Sequence, residues 1–556
     1  MRKIRRKKKK NMPAMGKCLW LLSSMLLLLA LQSSDKVTGT IVNLPQNCPT
    51  SSSTSCMLTN LTDSYEDALK VNGPSMPAIQ ALVVQNSALR RVPTRLLEVM
   101  PNLQKLLLLS CGLNNLYEKD FIDVKRLKIL TLEGNSIFSM AKNVFQPLGG
   151  SLEELQLRSN RIHIVNRQAF GGLKNLKFLD ISYNNIISLQ GGLFEDLINL
   201  EHLDVSHNDV EAIDANTFGK NSKLTSLNLS DNKFSVFEPN SLSHFGHLHL
   251  VDLSNTLLED FHIQSVDVLQ ISNSGLKNCN INGGVLRLLA ANNSLSGLKI
   301  TQKLVVQEID IQGNYFETLD DFQGMVNLQQ LDVSHNHINR LISQRSTSIY
   351  LQLPNLECLN LAHNRLRDLS PNEFLMMSKL RSLDLSHNHL LQLSTTTILK
   401  PLRDLQYLYL DNNHLIEFNC STLKQQHGNL QQLSLDQNDW EDQYQAELLL
   451  ELQKQNISVT RHRSGDNVAV ASHGGGYHES PRLLENYEKQ QLVGVSSIHP
   501  YWTLRDVLAL LTLLLVLLIL LLQFFRILQE EQCCRRRFLR HDREAEQPLV
   551  QNSSVL

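Results

Sequence analysis

The chain has almost no net charge and few cysteines for its length. A formal charge of −1 over 556 residues gives no overall preference for nucleic acid or for an acidic surface. Nine cysteines are too few for a small fold held together by disulfides. The hydrophobic content of 42% excludes a mainly disordered chain. What remains is a long and weakly charged folded protein.

Leucine is the residue in excess. It makes up roughly a fifth of the chain, whereas aromatic residues make up 6% and charged residues 19%. Such an excess indicates either a solenoid, in which one element is stacked many times, or membrane spans. The sequence predicts both.

The N-terminus combines a basic segment with a short apolar run. Eight lysines and arginines lie between Arg2 and Lys10, and apolar residues 18–31 follow. This run is shorter than the roughly 20 residues of a spanning helix, so we interpret residues 1–34 as a secretory signal cleaved near Ser33 or Ser34. A nuclear-import or nucleic-acid patch is disfavoured because the apolar run follows at once. A retained anchor with its lysines inside would still leave the middle of the chain outside.

Residues 507–525 form a second apolar run, of 19 residues without a charge, which is long enough for one transmembrane helix. Tyr501 and Trp502 precede it, and six arginines follow it between Arg526 and Arg543. Aromatic side chains favour the membrane interface, and positive charge stays on the cytosolic side. The sequence therefore predicts a single-pass type I protein of the plasma membrane, with an N-terminal ectodomain outside and residues 526–556 as a cytosolic tail.

Between these ends the pattern L-x-x-L-x-L-x-x-N-x-L recurs. Clear copies include LEELQLRSNRI (152–162), LKFLDISYNNI (176–186) and LRSLDLSHNHL (380–390). Ten clear and six weaker copies give about 16 repeats within residues 79–440. The pattern resembles the leucine-rich repeat family and covers about two thirds of the chain. The resemblance implies an α/β solenoid, a horseshoe of about 16 repeats with a parallel sheet on its concave face, followed here by one transmembrane helix.

The spacing has a physical meaning. The leucines at positions 4 and 6 alternate with polar residues, which predicts that they point inward from a short strand. In the family, the Asn at position 9 bonds backbone groups that would otherwise be buried unpaired. A phenylalanine ten residues later is expected to stack as a spine under the convex side, at Phe121, Phe145, Phe170, Phe194, Phe218 and Phe374. Stability then comes from stacking neighbouring repeats.

The repeat length changes along the chain. Successive position-9 residues are mostly 24 or 25 apart, but only about 18–22 apart between Thr256 and Asn336, where several repeats lack the Asn and the phenylalanine. This predicts a change of curvature that divides the horseshoe into two arms; family drift is the alternative. The long step from Asn336 to Asn364 predicts that residues 343–350 loop out.

The ends of a solenoid need covers. Cys48 and Cys56 fit one small disulfide in an N-terminal cap of residues 35–78, which an extracellular location permits. Asn438-Asp439-Trp440 resembles the start of the family's cysteine-rich C-terminal cap, but no cysteine follows. The amphipathic residues 446–453 are therefore expected to close this end as a helix, within a cap of residues 441–460. Glycine-containing residues 461–506 indicate a flexible stalk.

Four more cysteines fall within the repeats. Cys111 and Cys279 occupy inward positions and are expected to be buried thiols. Cys358 should face the concave side and Cys420 lies on an outgoing loop. Because these faces are opposite, a bond between Cys358 and Cys420 is disfavoured, which leaves free thiols or an interchain bond.

Two columns of side chains could carry chemistry. His207, His335, His363 and His387 each precede the position-9 Asn, and the last three fall in neighbouring repeats. They form either a metal or pH-sensing stripe or merely a common version of this turn. A second column is acidic and faces the concave side at Asp180, Asp204, Asp252, Asp310, Asp332 and Asp384. It suits binding rather than catalysis. We find no nucleophile motif, phosphate loop or CxxC pair, so no enzyme activity and no cofactor are predicted.

Modification motifs fit the predicted topology. Sequons of the form N-x-S/T predict glycosylation at Asn60, Asn228, Asn292, Asn419 and Asn456, and a glycan on Asn228 would obstruct the concave face locally. In the tail, Cys533 and Cys534 beside three arginines fit palmitoylation, with unmodified thiols as the alternative. The terminal Ser554-Val555-Leu556 matches the form bound by PDZ domains, which predicts a PDZ partner.

The architecture and the Asn-Asp-Trp run resemble insect leucine-rich immune proteins and Toll ectodomains without a signalling domain. The resemblance implies an innate-immune receptor or co-receptor with an extracellular protein or glycan ligand, and a homodimer or heterodimer with another repeat protein. The alternative is an adhesion or guidance protein that pairs repeats between cells. We place the ligand on the second arm, at Asp332, Asn360, Asp384 and Tyr409, against the alternative of a merely solvated sheet face.

Overall fold

The computed structural model describes residues 40–459 except 45, 47, 49–53, 64–68, 215, 238–241, 243–244, 345, 347–348, 372 and 422. The predicted signal, stalk, transmembrane segment and tail lie outside the described residues, as do Cys533, Cys534, Ser554 and Leu556. Within the described part, no helix is long and apolar enough to cross a bilayer.

Short strands recur along the whole described chain. The first fourteen are β1 (Ile41–Asn43), β2 (Ser55–Thr59), β3 (Lys70–Asn72), β4 (Ala81–Gln85), β5 (Lys105–Leu109), β6 (Ile129–Thr131), β7 (Ser139–Met140), β8 (Glu154–Gln156), β9 (Ile164–Val165), β10 (Phe178–Asp180), β11 (Ser188–Leu189), β12 (His202–Asp204), β13 (Ala212–Ile213) and β14 (Ser226–Asn228). The next thirteen are β15 (Leu250–Asp252), β16 (Asp260–Ile263), β17 (Val266–Gln270), β18 (Asn278–Ile281), β19 (Val285–Leu289), β20 (Lys299–Ile300), β21 (Glu308–Asp310), β22 (Gln330–Asp332), β23 (Cys358–Asn360), β24 (Ser382–Asp384), β25 (Tyr407–Tyr409), β26 (Gln432–Ser434) and β27 (Ser458–Val459).

Within the described residues, helices are few and short. The α-helices are α1 (Thr94–Glu98), α2 (Leu423–Gln426) and α3 (Asp442–Lys454), and single 3₁₀ turns occur at Gln146–Leu148, Lys303–Val305 and Asp320–Phe322. The solenoid is therefore built mainly of strands and turns.

One parallel sheet runs along the concave side. Its eighteen strands, in spatial order, are β2, β4, β5, β6, β8, β10, β12, β14, β15, β17, β19, β21, β22, β23, β24, β25, β26 and β27. Among the described strands, β2 and β27 each have one partner in this sheet, so the ribbon is open. The sixteen strands from β4 to β26 belong to the sixteen repeats of the sequence. The predicted parallel solenoid of about 16 turns is confirmed.

Every repeat leaves its strand through the same left-handed turn. The residue before each position-9 residue has φ between 49° and 69°, at Asn86, Ser110, Gly134, Ser159, Tyr183, His207, Asp231, Asn255, Asn273, Asn292, Gly313, His335, His363, His387, Asn412 and Gln437. Glycine, Asn, Asp and His are enriched in this backbone region. The recurrence of His before Asn in the sequence is explained by this turn.

The position-9 asparagines bond the turns of neighbouring repeats. The Asn184 amide donates to the backbone oxygens of Leu157, Ile181 and Ser182 at 3.0–3.1 Å, and its Oδ1 accepts from the Ile162 N–H at 3.0 Å. The same pattern of donation to backbone oxygens holds at Asn135, Asn160, Asn208, Asn232, Asn293, Asn314, Asn336, Asn364, Asn388, Asn413 and Asn438. These side chains satisfy backbone groups that the stacked repeats have removed from water.

A phenylalanine spine packs the first arm. The rings of Phe121, Phe145, Phe170, Phe194 and Phe218 are buried and stack in sequence, with centroid distances of 5.9, 6.4, 5.9 and 6.0 Å. Phe374 is buried in the second arm. The predicted spine is present where the repeats are regular.

The short repeats have strands on both sides. Opposite the concave sheet, β16, β18 and β20 form a second parallel sheet in which Phe261 aligns with Cys279. Strands in a sheet are about 4.8 Å apart, so the repeat spacing is nearly equal on the two sides here. A solenoid bends only where its convex side is spaced more widely than its concave side. The first arm has two-stranded pairs after its turns, β7 with β9 and β11 with β13, so the three-stranded sheet of the short repeats is a longer version of the same feature. The change of curvature stays a prediction.

Both described ends carry covers. Cys48 and Cys56 are joined in a disulfide with a Cα–Cα distance of 5.1 Å, and β1 pairs with β3 beside them. At the other end, helix α3 buries Leu448 and Leu452. The Tyr444 hydroxyl accepts from the Phe418 N–H at 2.8 Å, which fixes this helix to the last repeats.

Candidate ligand-binding surface

The four predicted ligand-binding residues share one row of the concave sheet. Asp332, Asn360, Asp384 and Tyr409 end the neighbouring strands β22, β23, β24 and β25. Asp332 pairs in register with Asn360, Asn360 with Asp384, and Asp384 with Tyr409. The structure thus brings all four together.

Three of these side chains also hold the turns that follow their strands. Asp332 Oδ1 accepts from the Ser334 N–H at 2.9 Å and from its hydroxyl at 2.7 Å. Asn360 Oδ1 accepts from the Ala362 N–H at 3.0 Å, and Asp384 Oδ1 accepts from the Ser386 N–H at 2.9 Å. Replacing these residues with Ala would leave those N–H groups without these acceptors, so Asn is the substitution that removes the charge of an Asp and keeps an acceptor for the turn.

The same turn bond recurs along the acidic column. The side-chain Oδ1 accepts from the N–H two residues later at 2.8–3.1 Å in Asp180, Asp204, Asn228, Asp252 and Asp310. A short polar side chain at the end of the strand supports the turn in these repeats, and Asn228 shows that its charge is not needed for this bond. The remaining carboxylate oxygen, Oδ2, is the atom left for contacts across the surface, such as the 2.8 Å bond between Asn360 Nδ2 and Asp332 Oδ2.

Tyr409 differs from the prediction. Its side chain lies in the concave row but is only 4% exposed, so it does not present an open aromatic surface. Burial, with the charges of Asp384, Tyr407 and Asp411 around it, raises the pKa of its hydroxyl to about 12. Tyr407, two residues earlier on the same strand, is only partly buried. Both tyrosines of Tyr-Leu-Tyr are on the same side of the strand as the pattern has it, but the pattern does not show which of them is buried.

The histidine column is a stack of rings. The rings of His335 and His363 lie 4.1 Å apart and those of His363 and His387 lie 3.9 Å apart, within 13° of parallel. The Asn412 amide continues the column with a 3.2 Å bond to His387 Nε2. Within residues that the structure describes, no group of three or more His, Cys, Asp or Glu could hold a metal ion. The observed geometry favours the interpretation of these histidines as turn residues.

The concave surface changes character along the solenoid. The row that contains Asp332 begins with Met57, Val83 and Leu107, which align on β2, β4 and β5. Met57 is exposed and Val83 partly exposed, so the first turns present an apolar strip and the later ones a polar row. The continuous apolar runs within Ala81–Gln85 and Lys105–Leu109 are the signal for this strip in the sequence.

Four of the five sequons lie on the surface. The side chains of Asn60, Asn292, Asn419 and Asn456 are exposed. Asn228 is half-buried in the concave row, where its Nδ2 donates to Asp204 Oδ2 at 3.3 Å and its Oδ1 accepts from the Ser230 hydroxyl at 2.8 Å. The Asn228 amide thus already has partners on the folded surface.

The cysteines of the repeats are thiols. Cys111 and Cys279 are buried, which raises the pKa of their thiols to about 11 and about 12. Cys358 lies half-buried on β23, and Cys420 is buried. Among the described cysteines, these four form no disulfide.

Asp180 makes the stability of the first arm depend on pH. Burial, followed by the neighbouring charge of Asp204, raises the pKa of this carboxyl above its ordinary value. The stabilising contribution of the protonated form is complete below about pH 4 and is lost as pH rises through the raised pKa. Asp180→Asn, which keeps an acceptor for the turn as Asn228 does, should weaken this pH dependence in denaturant titrations. The exposed Asp123→Asn is the control, and an unchanged pH profile in Asp180→Asn would contradict the assignment.

Comparisons with known proteins identify the repeat. Sequence profiles of the leucine rich repeat match residues 150–210, 198–258, 339–390 and 379–403. Human lumican is 31% identical over 156 residues, which cover 23% of this chain and 45% of lumican. P-granule-associated novel protein 1 of Caenorhabditis elegans is 41% identical over 66 residues, which cover 12% of this chain and 11% of that protein. The chain thus spans less than half the length of these curated relatives.

Solved structures show the same fold. The glycosylated form of the Toll–Spatzle complex, described as a hub in Drosophila development and innate immunity, matches with a TM-score of 0.57 and 20% identity, covering 69% of this chain and 55% of that chain. The LRIM1/APL1C complex covers 89% of this chain and 82% of that chain at 20% identity, but its TM-score of 0.48 is too low to support an argument. At such identity, the likeness to Toll establishes a leucine-rich-repeat solenoid and no more.

Proposed function

We propose that this leucine-rich-repeat solenoid is the ectodomain of a cell-surface recognition protein, an innate-immune receptor or co-receptor that binds an extracellular protein or glycan through its concave face. The observation that carries the proposal is the row of half-buried polar groups at Asp332, Asn360 and Asp384. The leucine directly before each of them on the strand points into the core. A continuous polar sheet face suits binding through many weak contacts.

Two further features support a macromolecular ligand. The aligned strands hold the polar groups at fixed separations, so little ordering is needed when a large partner binds. Partly exposed Tyr407 lies on β25, beside β24, and an aromatic ring with a polar tip is a common interface anchor. The Toll structure of similar fold is a complex with Spatzle, which supports a protein as the first ligand class to test.

The proposed topology rests on the sequence. Residues 1–34 act as the signal, residues 507–525 as the single membrane span and residues 461–506 as the stalk. Acylation of Cys533 and Cys534 would hold the tail at the membrane, and Ser554 and Leu556 would bind a PDZ domain. The disulfide between Cys48 and Cys56 suits an extracellular location.

A ligand captured by the secreted ectodomain, residues 35–500, tests the proposed surface. The variant Asp332→Asn/Asp384→Asn/Tyr407→Ala keeps the turn acceptors, as Asn360 shows, but removes two charges and one ring. We expect at least about tenfold weaker binding, equivalent to about 1.4 kcal/mol. The measurement is the Kd by surface plasmon resonance.

The matched control is Asp204→Asn, which keeps the same turn bond on the first arm. Undiminished affinity in the triple variant, together with weaker binding in Asp204→Asn, would place the ligand on the first arm instead. Aggregation of cells that display the full chain, without any added ligand, would favour the alternative of adhesion or guidance.

A further inference from the structure

The C-terminal end of the solenoid has an apolar surface that no described residue covers. Helix α3 buries Leu448 and Leu452, but Leu449 and Leu450 are 41% and 56% exposed. Strand β27 pairs with β26 on one side and has no described partner on the other. An open groove of about 440 Å³ adjoins this edge, lined by Leu449, Gln453, Asn456, Ile457, Ser458 and Val459.

Asn456 is held at the groove by the end of helix α3. Its N–H donates to the Gln453 oxygen at 3.0 Å, and the Ile457 N–H donates to the Leu452 oxygen at 3.1 Å. These two bonds, with φ of 54° at Asn456, form a Schellman motif in which Ile457 packs onto the helix. The motif turns the Asn456 side chain outward to solvent while the following residues enter β27.

We propose that Asn456 carries an N-linked glycan whose first sugars lie in this groove and cover the open end of the solenoid. Asn456, Ile457 and Ser458 form the sequon, and Asn456 and Ser458 are both exposed in the groove wall. In the transfer, Asn456 Nδ2 forms a bond to the sugar C1 of a lipid diphosphate-linked oligosaccharide. The bond from C1 to the diphosphate oxygen breaks, and the lipid diphosphate leaves with the proton of the amide. The proposal rests on the extracellular placement of the solenoid.

The groove fits a tethered sugar in both chemistry and size. The aliphatic side chains of Leu449 and Val459 match the C–H faces of a sugar ring, while Gln453 can bond its hydroxyls. The volume lies within the roughly 300–1,000 Å³ of small-ligand sites. Attachment at the groove wall makes the contact intramolecular, which favours occupancy even when each contact is weak. A second copy of the chain at β27 would have to displace this glycan.

Two variants of the full chain, expressed in animal cells, distinguish the loss of the glycan from a change in the end of helix α3. Asn456→Gly keeps a residue that accepts positive φ, and Ser458→Ala keeps Asn456 itself. Each should lose one glycan relative to the wild-type chain, seen as one step in apparent mass that treatment with a glycan-removing amidase abolishes. Asn419→Gln, at an exposed sequon away from the groove, is the control for access to the transferase.

A second measurement tests the cover itself. Native removal of glycans should speed hydrogen exchange of the backbone amides of residues 455–459, whereas residues 417–421 around the control sequon should change less. A mass step for Asn419→Gln but none for either variant at the groove would overturn this inference and leave the extracellular placement standing. No mass step at any sequon would overturn both. Two other results would also contradict the proposal that the glycan covers the groove. One is a glycan on Asn456 whose removal does not speed exchange. The other is self-association through this end that the amidase does not alter.

Discussion

Replacing Phe170 with alanine is expected to lower the free energy of unfolding of the solenoid by about 3–5 kcal/mol, as for other buried phenylalanines. The ring stacks between Phe145 at 6.4 Å and Phe194 at 5.9 Å and is fully enclosed. Each neighbour is itself held by the next ring of the spine. The repeats therefore cannot close over the cavity, and the loss includes both burial and packing.

Chemical denaturation of the secreted fragment measures this loss, and hydrogen exchange locates it in the repeats around residues 145–194. Phe138→Ala is the matched control because its ring is 52% exposed in the same arm. We expect the control to change stability by less than about 0.5 kcal/mol. Equal effects of the two substitutions would show that the spine does not stabilise the first arm.

Replacing Asn184 with alanine is expected to cost about 3–5 kcal/mol, because several buried backbone groups lose their partners together. The Ile162 N–H loses its acceptor, and the oxygens of Leu157, Ile181 and Ser182 lose the amide that donates to them. Asn184 is buried, so the backbone groups that it bonds are removed from bulk water. The effect should therefore exceed that of losing one ordinary hydrogen bond, which is about 1 kcal/mol.

The adjacent residue provides the control for this prediction. Asn185 is exposed and its side chain makes one long contact, 3.5 Å from Nδ2 to Asp209 Oδ2. Asn185→Ala should leave the denaturation midpoint nearly unchanged, whereas Asn184→Ala should shift it and speed exchange of the Ile162 amide. A loss below about 1 kcal/mol for Asn184→Ala would mean that the turns reorganise without this side chain.

Together these residues define how the concave surface is held. The spine supports the convex side of the first arm, and the asparagines join each turn to the turn before it. The acidic column then uses one carboxylate oxygen for the turn and leaves the other at the surface, as Asp332 shows. Charge on the concave face can therefore vary from repeat to repeat while the turn bond is kept. Asn228 and Asn360 demonstrate this, because an uncharged amide oxygen accepts the turn bond where other repeats have a carboxylate.

The repeat, its register and the identity of the inward residues can be predicted from the sequence alone. The leucines of LKFLDISYNNI and its copies alternate at strand spacing, and a residue 24 positions away occupies the same place in the next turn. Each repeat contacts only its neighbours, so short-range periodicity contains most of the information needed to build the sheet, the asparagine bonds and the phenylalanine spine.

Which outward side chains remain accessible depends on the tertiary structure. Tyr407 and Tyr409 have the same pattern in the sequence, but Tyr407 is partly exposed and Tyr409 is buried. The convex strands β16, β18 and β20 likewise exist only through pairing with each other. At the C-terminal end, the apolar groove beside Asn456 appears because no described repeat follows β27. Periodicity specifies the direction of a side chain, whereas its exposure depends on neighbours that different repeats contribute.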